Sequence, residues 1–148
     1  MNSIIRINDL DNAFDLLYRH NQEIGRSIGE DELVNGIRKF LQHGNVFAMV
    51  VNNRIIAMLN VYCNDFETGQ AYINNVYVLP EYRGIHLAQA LIKQAILYCQ
   101  ESGFFVVCLH VSEDNVAAVK TYRALGFTFT DNTKDGSREM RLILPKST

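Results

Sequence analysis

The pattern of apolar residues along this 148-residue chain predicts an α/β (α+β) domain, a mixed sheet with helices on both faces. Two observations predict it most directly. β-Branched and aromatic runs alternate with helical periodicities in the order β-α-α-β-β-β-α-β-α-β-β. The run FFVVCLHV at 104–111 is apolar without alternation, the mark of a strand buried on both faces. The length suits one domain, residues 1–148, with enough chain to bury a core.

Ile4, Ile5 and Ile7 read as a short first strand, and a helix follows from Asp9 or Asp11 with Phe14, Leu17 and Tyr18 at helical spacing. NQEIGRSIGEDE interrupts it. In the second helix Leu33, Ile37, Phe40 and Leu41 recur at i, i+4, i+7 and i+8, one apolar face, and Gly44 ends the pattern. NVFAMVVNNRIIAMLNVY is a hairpin turning at Asn52-Asn53, residues that tolerate positive φ. The polar stretch CNDFETGQ reads as a loop before the strand AYINNVYVL. Leu87 to Gln100 form a third helix closed by Gly103, and FFVVCLHV is the next strand. A fourth helix starts with Asp114 or Asn115 as its cap and stops at Gly126. Two closing strands, FTFT and REMRLILP, flank DNTKDGS, whose Asp-Gly marks a turn.

Composition narrows the function. The formal net charge of −2 argues against a general nucleic-acid binder. No apolar run has membrane-spanning length and the first residues lack a signal-peptide core, so a cytoplasmic protein without a membrane partner is expected. The odd cysteine count, Cys63, Cys99 and Cys108, favours reduced thiols. His20, His43, His86 and His110 are scattered, and Cys108 and His110 share a strand face by alternation alone, so no metal site is expected.

Two constellations carry chemistry. In NNVYVLPEYRGIHLAQALIKQAI, Pro80 ends a strand and a helix begins within a few residues. Backbone N–H groups around Gly84 to Ala88 are the unpaired donors of that helix start, where the macrodipole favours an anion. Gly84 permits close approach, and Arg83 can add a charge-assisted contact. Any strand–turn–helix joint has some of these features, so the loop alone fits either an anion site or a plain joint. Downstream, Asn115, Ala118, Tyr122 and Gly126-Phe127 lie on and after one helix. Singly, Asn115 is a helix cap and Tyr122 a buried aromatic.

Taken together, Val76, Val78, Pro80, Glu81, Tyr82, Arg83, Gly84, Ala88 and Leu91, then Leu109, Val111, Asn115, Ala118, Tyr122, Gly126 and Phe127, resemble the GNAT superfamily of acyl-CoA-dependent N-acetyltransferases. The specific part spans roughly residues 71–130. The resemblance implies a mostly antiparallel sheet splayed between its fourth and fifth strands, with the pantetheine arm of acetyl-CoA in the gap. It implies main-chain contacts from Val76, Tyr77 and Val78, and backbone binding of pyrophosphate by Arg83, Gly84, Ile85, His86, Leu87 and Ala88. His86 stands where the family pattern has glycine; histidine is among the non-glycine residues better tolerated at positive φ. Asn115 reaches the arm from the other side, and Tyr122 also borders the donor.

The implied chemistry is attack by a neutral amine on the thioester in a ternary complex. A main-chain N–H near Val78 stabilises the oxyanion and Tyr122 protonates the leaving thiolate. Some members carry a glutamate base twelve residues before the tyrosine; here that position is His110, a residue type largely neutral at pH 7 and suited to the role, or else an ordinary strand histidine. Other members place the base on the preceding strand, where Asn74 and Asn75 cannot take a proton. A covalent route through Cys108 is disfavoured, because apolar neighbours raise a thiol pKa. The expected partner is a small-molecule amine such as an amino sugar, amino acid or polyamine, with acetyl-CoA as co-substrate and no metal. A protein N-terminus or lysine acceptor, a non-catalytic acyl-CoA-binding module and a homodimer are the alternatives this family offers. A Rossmann-type nucleotide domain lacks its G-x-G-x-x-G.

Overall fold

The computed structural model describes residues 2–23, 25, 29–84 and 86–145, and the backbone alone at residues 2, 10–12 and 75. The elements are β1 (Asn2–Ile7), α1 (Leu10–Glu23), α2 (Glu30–His43), β2 (Asn45–Val51), β3 (Arg54–Asp65), β4 (Gln70–Val78), α3 (Leu87–Glu101), β5 (Val106–Val111), α4 (Val116–Ala124), β6 (Thr128–Lys134) and β7 (Ser137–Ile143). The seven strands form one sheet in the order β1-β2-β3-β4-β5-β7-β6. Every pairing is antiparallel except β4 with β5. This is the mixed, mostly antiparallel α/β architecture that the sequence predicts.

Strand parity sorts the helices. Val46, Met58 and Asn60 share one face of the sheet and meet Ala13, Leu17, Ile37 and Phe40 of α1 and α2. Phe47 lies on the opposite face, its ring 5.6 Å from that of Tyr98 of α3. Leu33 and Ile37 are buried, which is why the α2 stripe turns inward. Glu30, Asp31 and Glu32 occupy its first turn, where carboxylates favour the positive helix end.

Both expected hairpin turns form. Asn52 and Asn53 have φ of 50° and 62°, and Asp135 and Gly136 have 49° and 82°. Several boundaries differ from expectation, β7 ending at Ile143 rather than Pro145 among them. β3 continues through Cys63 and Asn64 to Asp65, because a bulge sets those two residues against Ala71 alone and keeps the polar end paired. β6 takes in Asp131 to Lys134: it is the edge strand, so polar residues there face water. β5 starts at Val106, two residues late. Phe104 instead packs its ring 5.0 Å from Phe66, and the N–H groups of Phe105 and Val106 donate to the carbonyl of Gly69.

That last contact pins the start of β5 to the start of β4. The parallel ladder then runs only from Gln70–Val106 through Ala71–Val107 to Tyr72–Cys108. Beyond Tyr72, β4 and β5 part, and β4 continues to Val78 without β5 beside it. A bulge on the other edge of β4 accompanies the parting: between the Asn60–Asn74 and Met58–Tyr77 pairs, Leu59 faces both Asn75 and Val76. Such an extra residue bends its strand and increases its twist, here where β4 leaves β5.

Gly69 sits at the closed end of this wedge with φ 67°, and a Cβ there would lie 2.0 Å from the Phe105 ring. Gly69→Ala is expected to destabilise the protein by about 1–2 kcal/mol, the cost of a left-handed L-residue. Glu67→Ala in the same turn should stay within about 0.5 kcal/mol. Urea denaturation of the two variants checks the pair.

Candidate active site

The open edge of β4 presents backbone rather than side chains. Leu79 N–H donates 2.9 Å to the carbonyl of Ile56 on β3. Successive N–H groups in a strand point to opposite edges, so the N–H of Val78 points away from β3, into the wedge. Tyr77 before it is held to β3 opposite Met58, and Val76 sits in the bulge opposite Leu59. Pro80, which has no N–H to donate, closes the strand with a single helical turn over Pro80–Tyr82.

α3 begins at Leu87, and its first helical hydrogen bond prolongs the exposed start: Ala90 N–H reaches His86 O at 3.1 Å. The N–H groups of Leu87 and Ala88, ahead of it, have no helical acceptor. His86 takes φ 63° and ψ 20° at the N-cap, and its side chain makes no capping hydrogen bond. Gly84 has φ 83°. The histidine therefore adopts, directly before α3, the left-handed backbone a glycine would. Ile85 lies outside the described residues.

Arg83 is committed elsewhere. Its guanidinium forks the carboxylate of Glu23 at the end of α1, with Nη2 2.7 Å from Oε2, and its Nε donates 2.9 Å to the Val78 carbonyl. Tyr77 Oη donates to the same carboxylate at 2.9 Å. The bidentate Arg83 contact, aided by Tyr77, holds the Glu23 carboxyl at about 2 against burial pushing it up. The triad ties α1 to the end of β4, and sequence pattern alone shows neither the contact nor the sixty-residue separation it spans.

Across the sheet, residues opposed in register share a face. Tyr62, Tyr72, Cys108 and Arg141 form one row, and His110 stands opposite Glu139 in the next. This is the α1–α2 face, but α1 packs on β3 and β4 and α2 on β2 and β3, so neither helix roofs the row over β5 and β7. A cavity of about 370 Å³ opens there, lined by Tyr62, Asn64, Asp65, Gln70, Ala71, Tyr72, Cys108, His110 and Glu139. His110 is half-buried; its Nδ1 lies 3.4 Å from Ser137 Oγ and its ring 5.9 Å from that of Tyr72. Burial raises the Cys108 thiol and the Tyr72 phenol, and the Glu139 carboxylate adds to both. All three cysteines are buried and free.

Tyr122 sits on the other face, on α4, which packs beside α3. Phe127 N–H donates to Tyr122 O at 3.1 Å and Gly126 N–H to Arg123 O at 3.0 Å, the paired bonds of a Schellman helix end. Gly126 takes the required left-handed turn at φ 101°. Phe127 then packs edge-on against the Tyr122 ring, 6.0 Å between centroids. The Tyr-x-x-x-Gly-Phe spacing is thus a device for fixing the tyrosine. Its hydroxyl has no hydrogen-bond partner among the described residues, and burial pushes its pKa up to about 12. Asn115 caps α4, its Oδ1 accepting the Ala118 N–H at 3.2 Å.

Comparison with known proteins matches this geometry to one family. The sequence model of the Acetyltransferase (GNAT) family covers residues 10–127. The chain belongs to the GNAT acetyltransferase family. An uncharacterised N-acetyltransferase of Schizosaccharomyces pombe is 28% identical, over 83% of this chain and 78% of its own. A mycothiol acetyltransferase of Arthrobacter is 35% identical over 60% of this chain, which there spans only 28% of the longer protein. Among solved structures, a Staphylococcus aureus GNAT acetyltransferase superposes with a TM-score of 0.81 at 18% identity, over 98% of this chain and all of its own. The PaiA N-acetyltransferase of Thermoplasma acidophilum, solved with coenzyme A, superposes at 0.77 and 16% identity, over 97% and 99% of the two chains. The protein described here is therefore a GNAT acetyltransferase. No helix among its described residues is long and apolar enough to cross a membrane.

Of the residues singled out from sequence, Tyr72, Cys108 and His110 meet at the cavity, and Val76–Val78 edge the wedge. Asn115 and Tyr122 belong to α4, and neither lines the cavity. Glu139 was missed. In SREMRLI it shares strand parity with Arg141, which reads as a solvent face; only the pairing with His110 and the bulge of β6 opposite it bury the carboxylate.

The lowered Glu23 pKa makes a signed prediction. A depressed carboxyl stabilises the fold above its ordinary pKa of 4.5 and loses that contribution as pH falls toward 2. Both partners are partly exposed, so the contribution is about 1 kcal/mol or less. Glu23→Gln should lower Tm slightly at pH 7 and flatten the fall in Tm between pH 4.5 and pH 2, as followed by circular dichroism.

Proposed function

We propose that this enzyme moves an acetyl group from acetyl-CoA to the primary amine of a small molecule by direct attack in a ternary complex. One observation carries the reading: the wedge between β4 and β5 passes through the sheet, with the His110 cavity on one face and Tyr122 on the other. The thioester held in the wedge would meet the amine from the α1–α2 face and release its sulfur toward α4. A cavity of about 370 Å³ lies in the range of small-ligand sites and favours a small acceptor over a protein segment.

In this scheme the Val76–Val78 backbone pairs with the amides of the pantetheine arm as an added strand would. The N–H groups from Gly84 to Ala88, Ile85 included, hold the pyrophosphate; the contacts come from backbone, which is why His86 can replace glycine. Asn115 keeps its amide nitrogen available to the arm after spending its oxygen on the cap. The Arg83 side chain braces the end of β4 through Glu23, so its part in phosphate binding is through the main chain.

The acceptor arrives as R–NH₃⁺, since an alkylamine titrates near 10.4. His110 takes one proton, and the freed nitrogen pair attacks the thioester carbon. The Val78 N–H stabilises the oxyanion as the C–N bond forms. Collapse breaks the C–S bond, and Tyr122 gives its proton to the departing sulfur and regains one as the new amide nitrogen loses its second. The products are R–NH–CO–CH₃, CoA–SH and one H⁺. A phenol raised to about 12 is a weak donor to a thiolate near 8.5 in water. The same burial raises the thiolate's basicity, which narrows the gap. The raised Cys108 thiol stays protonated and makes no acyl-enzyme.

Tyr122→Phe should reduce kcat by about 10²–10³-fold while the Kd for coenzyme A changes by less than about threefold. Stopped-flow thiol release and calorimetry check it. His110→Gln should lower kcat/KM by about 10–100-fold and abolish the acidic limb of its pH profile. An unchanged profile removes His110 from the mechanism.

A further inference from the structure

Glu139 is only 9% exposed, and its ion pair with Arg141 engages one of its two oxygens. Thr130 Oγ1 at 3.0 Å, Asn132 Nδ2 at 3.2 Å and Arg141 Nη2 at 3.3 Å all converge on one carboxylate oxygen, Oε1. The other oxygen, Oε2, has no hydrogen-bond partner among the described residues, and the residue lines the cavity beside His110. That oxygen opens on the cavity, so a cationic ligand entering there meets a carboxylate oxygen with no protein donor to displace. The three donors fix the side chain so that this oxygen is held in place before anything binds.

The surroundings say what completes it. The cavity lining holds two carboxylates, Glu139 and Asp65, and no lysine or arginine. Tyr62, Tyr72 and His110 supply ring faces around them, the setting in which a cation is doubly favoured, by charge and by the aromatic quadrupole. Arg141 reaches Glu139 at Oε1 alone, its Nε being buried without a hydrogen-bond partner among the described residues, and Arg138 is drawn off by Thr130 O, Asp131 and Glu113.

We infer that Glu139 Oε2 is the binding point for the acceptor's ammonium group, seating it against the Tyr72 and His110 rings next to the base. The inference rests on reading this cavity as the acceptor side. It assigns the substrate class as a primary amine that is cationic when it binds, with an apolar or aromatic body lying against the Tyr62 and Tyr72 side chains. Glu139 selects the charged form, and His110 beside it receives the proton that must leave before attack.

Binding separates this from the transfer reaction. 2-Phenylethylammonium and its uncharged counterpart 2-phenylethanol are titrated into coenzyme A-loaded protein, followed by ligand-observed NMR. The expected result is a Kd for the ammonium that rises tenfold or more in Glu139→Gln while the Kd for the alcohol stays within twofold. Glu139→Asp, which keeps the charge but withdraws it, should fall between, and it stands in if the glutamine variant does not fold. Equal losses for both probes would reduce Glu139 to a structural support of β6 and β7. Unchanged ammonium binding, or none by the wild type, would also overturn the inference. Charge-dependent binding without acetyl transfer to any amine would leave it standing and reject the proposed reaction instead.

Discussion

β4 and β5 run side by side for three residue pairs and then separate, and the site is built around that interruption. An unpaired strand edge inside a sheet leaves backbone groups that must find partners. Here the edge is held open from several directions. Gly69 and the Phe104–Phe105 step fasten the closed end. The Asn75–Val76 bulge bends β4 away, and Glu23 with Arg83 and Tyr77 anchors its far end to α1. These contacts accompany the parting of the strands, and in the proposed reading the exposed N–H groups seat a ligand that carries peptide-like amides.

The wedge also divides the chemistry. On the α1–α2 face Tyr72, Cys108, His110 and Glu139 line an open cavity, because neither helix extends over them. On the opposite face Tyr122 is enclosed, its ring braced by Phe127 and its pKa lifted by the same enclosure. In the proposed scheme, proton acceptance by His110 and proton donation by Tyr122 fall on opposite sides of one sheet. A through-sheet cleft allows two groups of unlike character to act on one bond without neutralising each other.

Much of this was legible in the residues, and what was not shares a cause. Helix ends, both hairpin turns and the unusual His86 were readable because each is local: a few residues decide φ and the capping bonds. Tyr122 and Gly126-Phe127 were readable as a motif, and the Schellman geometry gives that spacing its physical reason. The bulges of β3, β4 and β6 were not readable, since an extra residue in a strand is defined only by its partner. They moved the bounds of β3 and β6. Glu139 was hidden for the same reason. Its alternation with Met140 and Leu142 says only that it leaves the apolar face, and long-range pairing with β5 decides that it enters a cavity rather than water.

The parted strands carry the account, and hydrogen exchange on β4 tests them most directly. In the free protein, amides of Gln70 to Tyr72 should be protected, while those beyond Tyr72 that face β5 should exchange readily. Saturating coenzyme A should protect the latter group, together with the N–H groups at the start of α3, and leave the former unchanged. Uniform protection along β4 in the free protein, or protection by coenzyme A at some other edge, would contradict it.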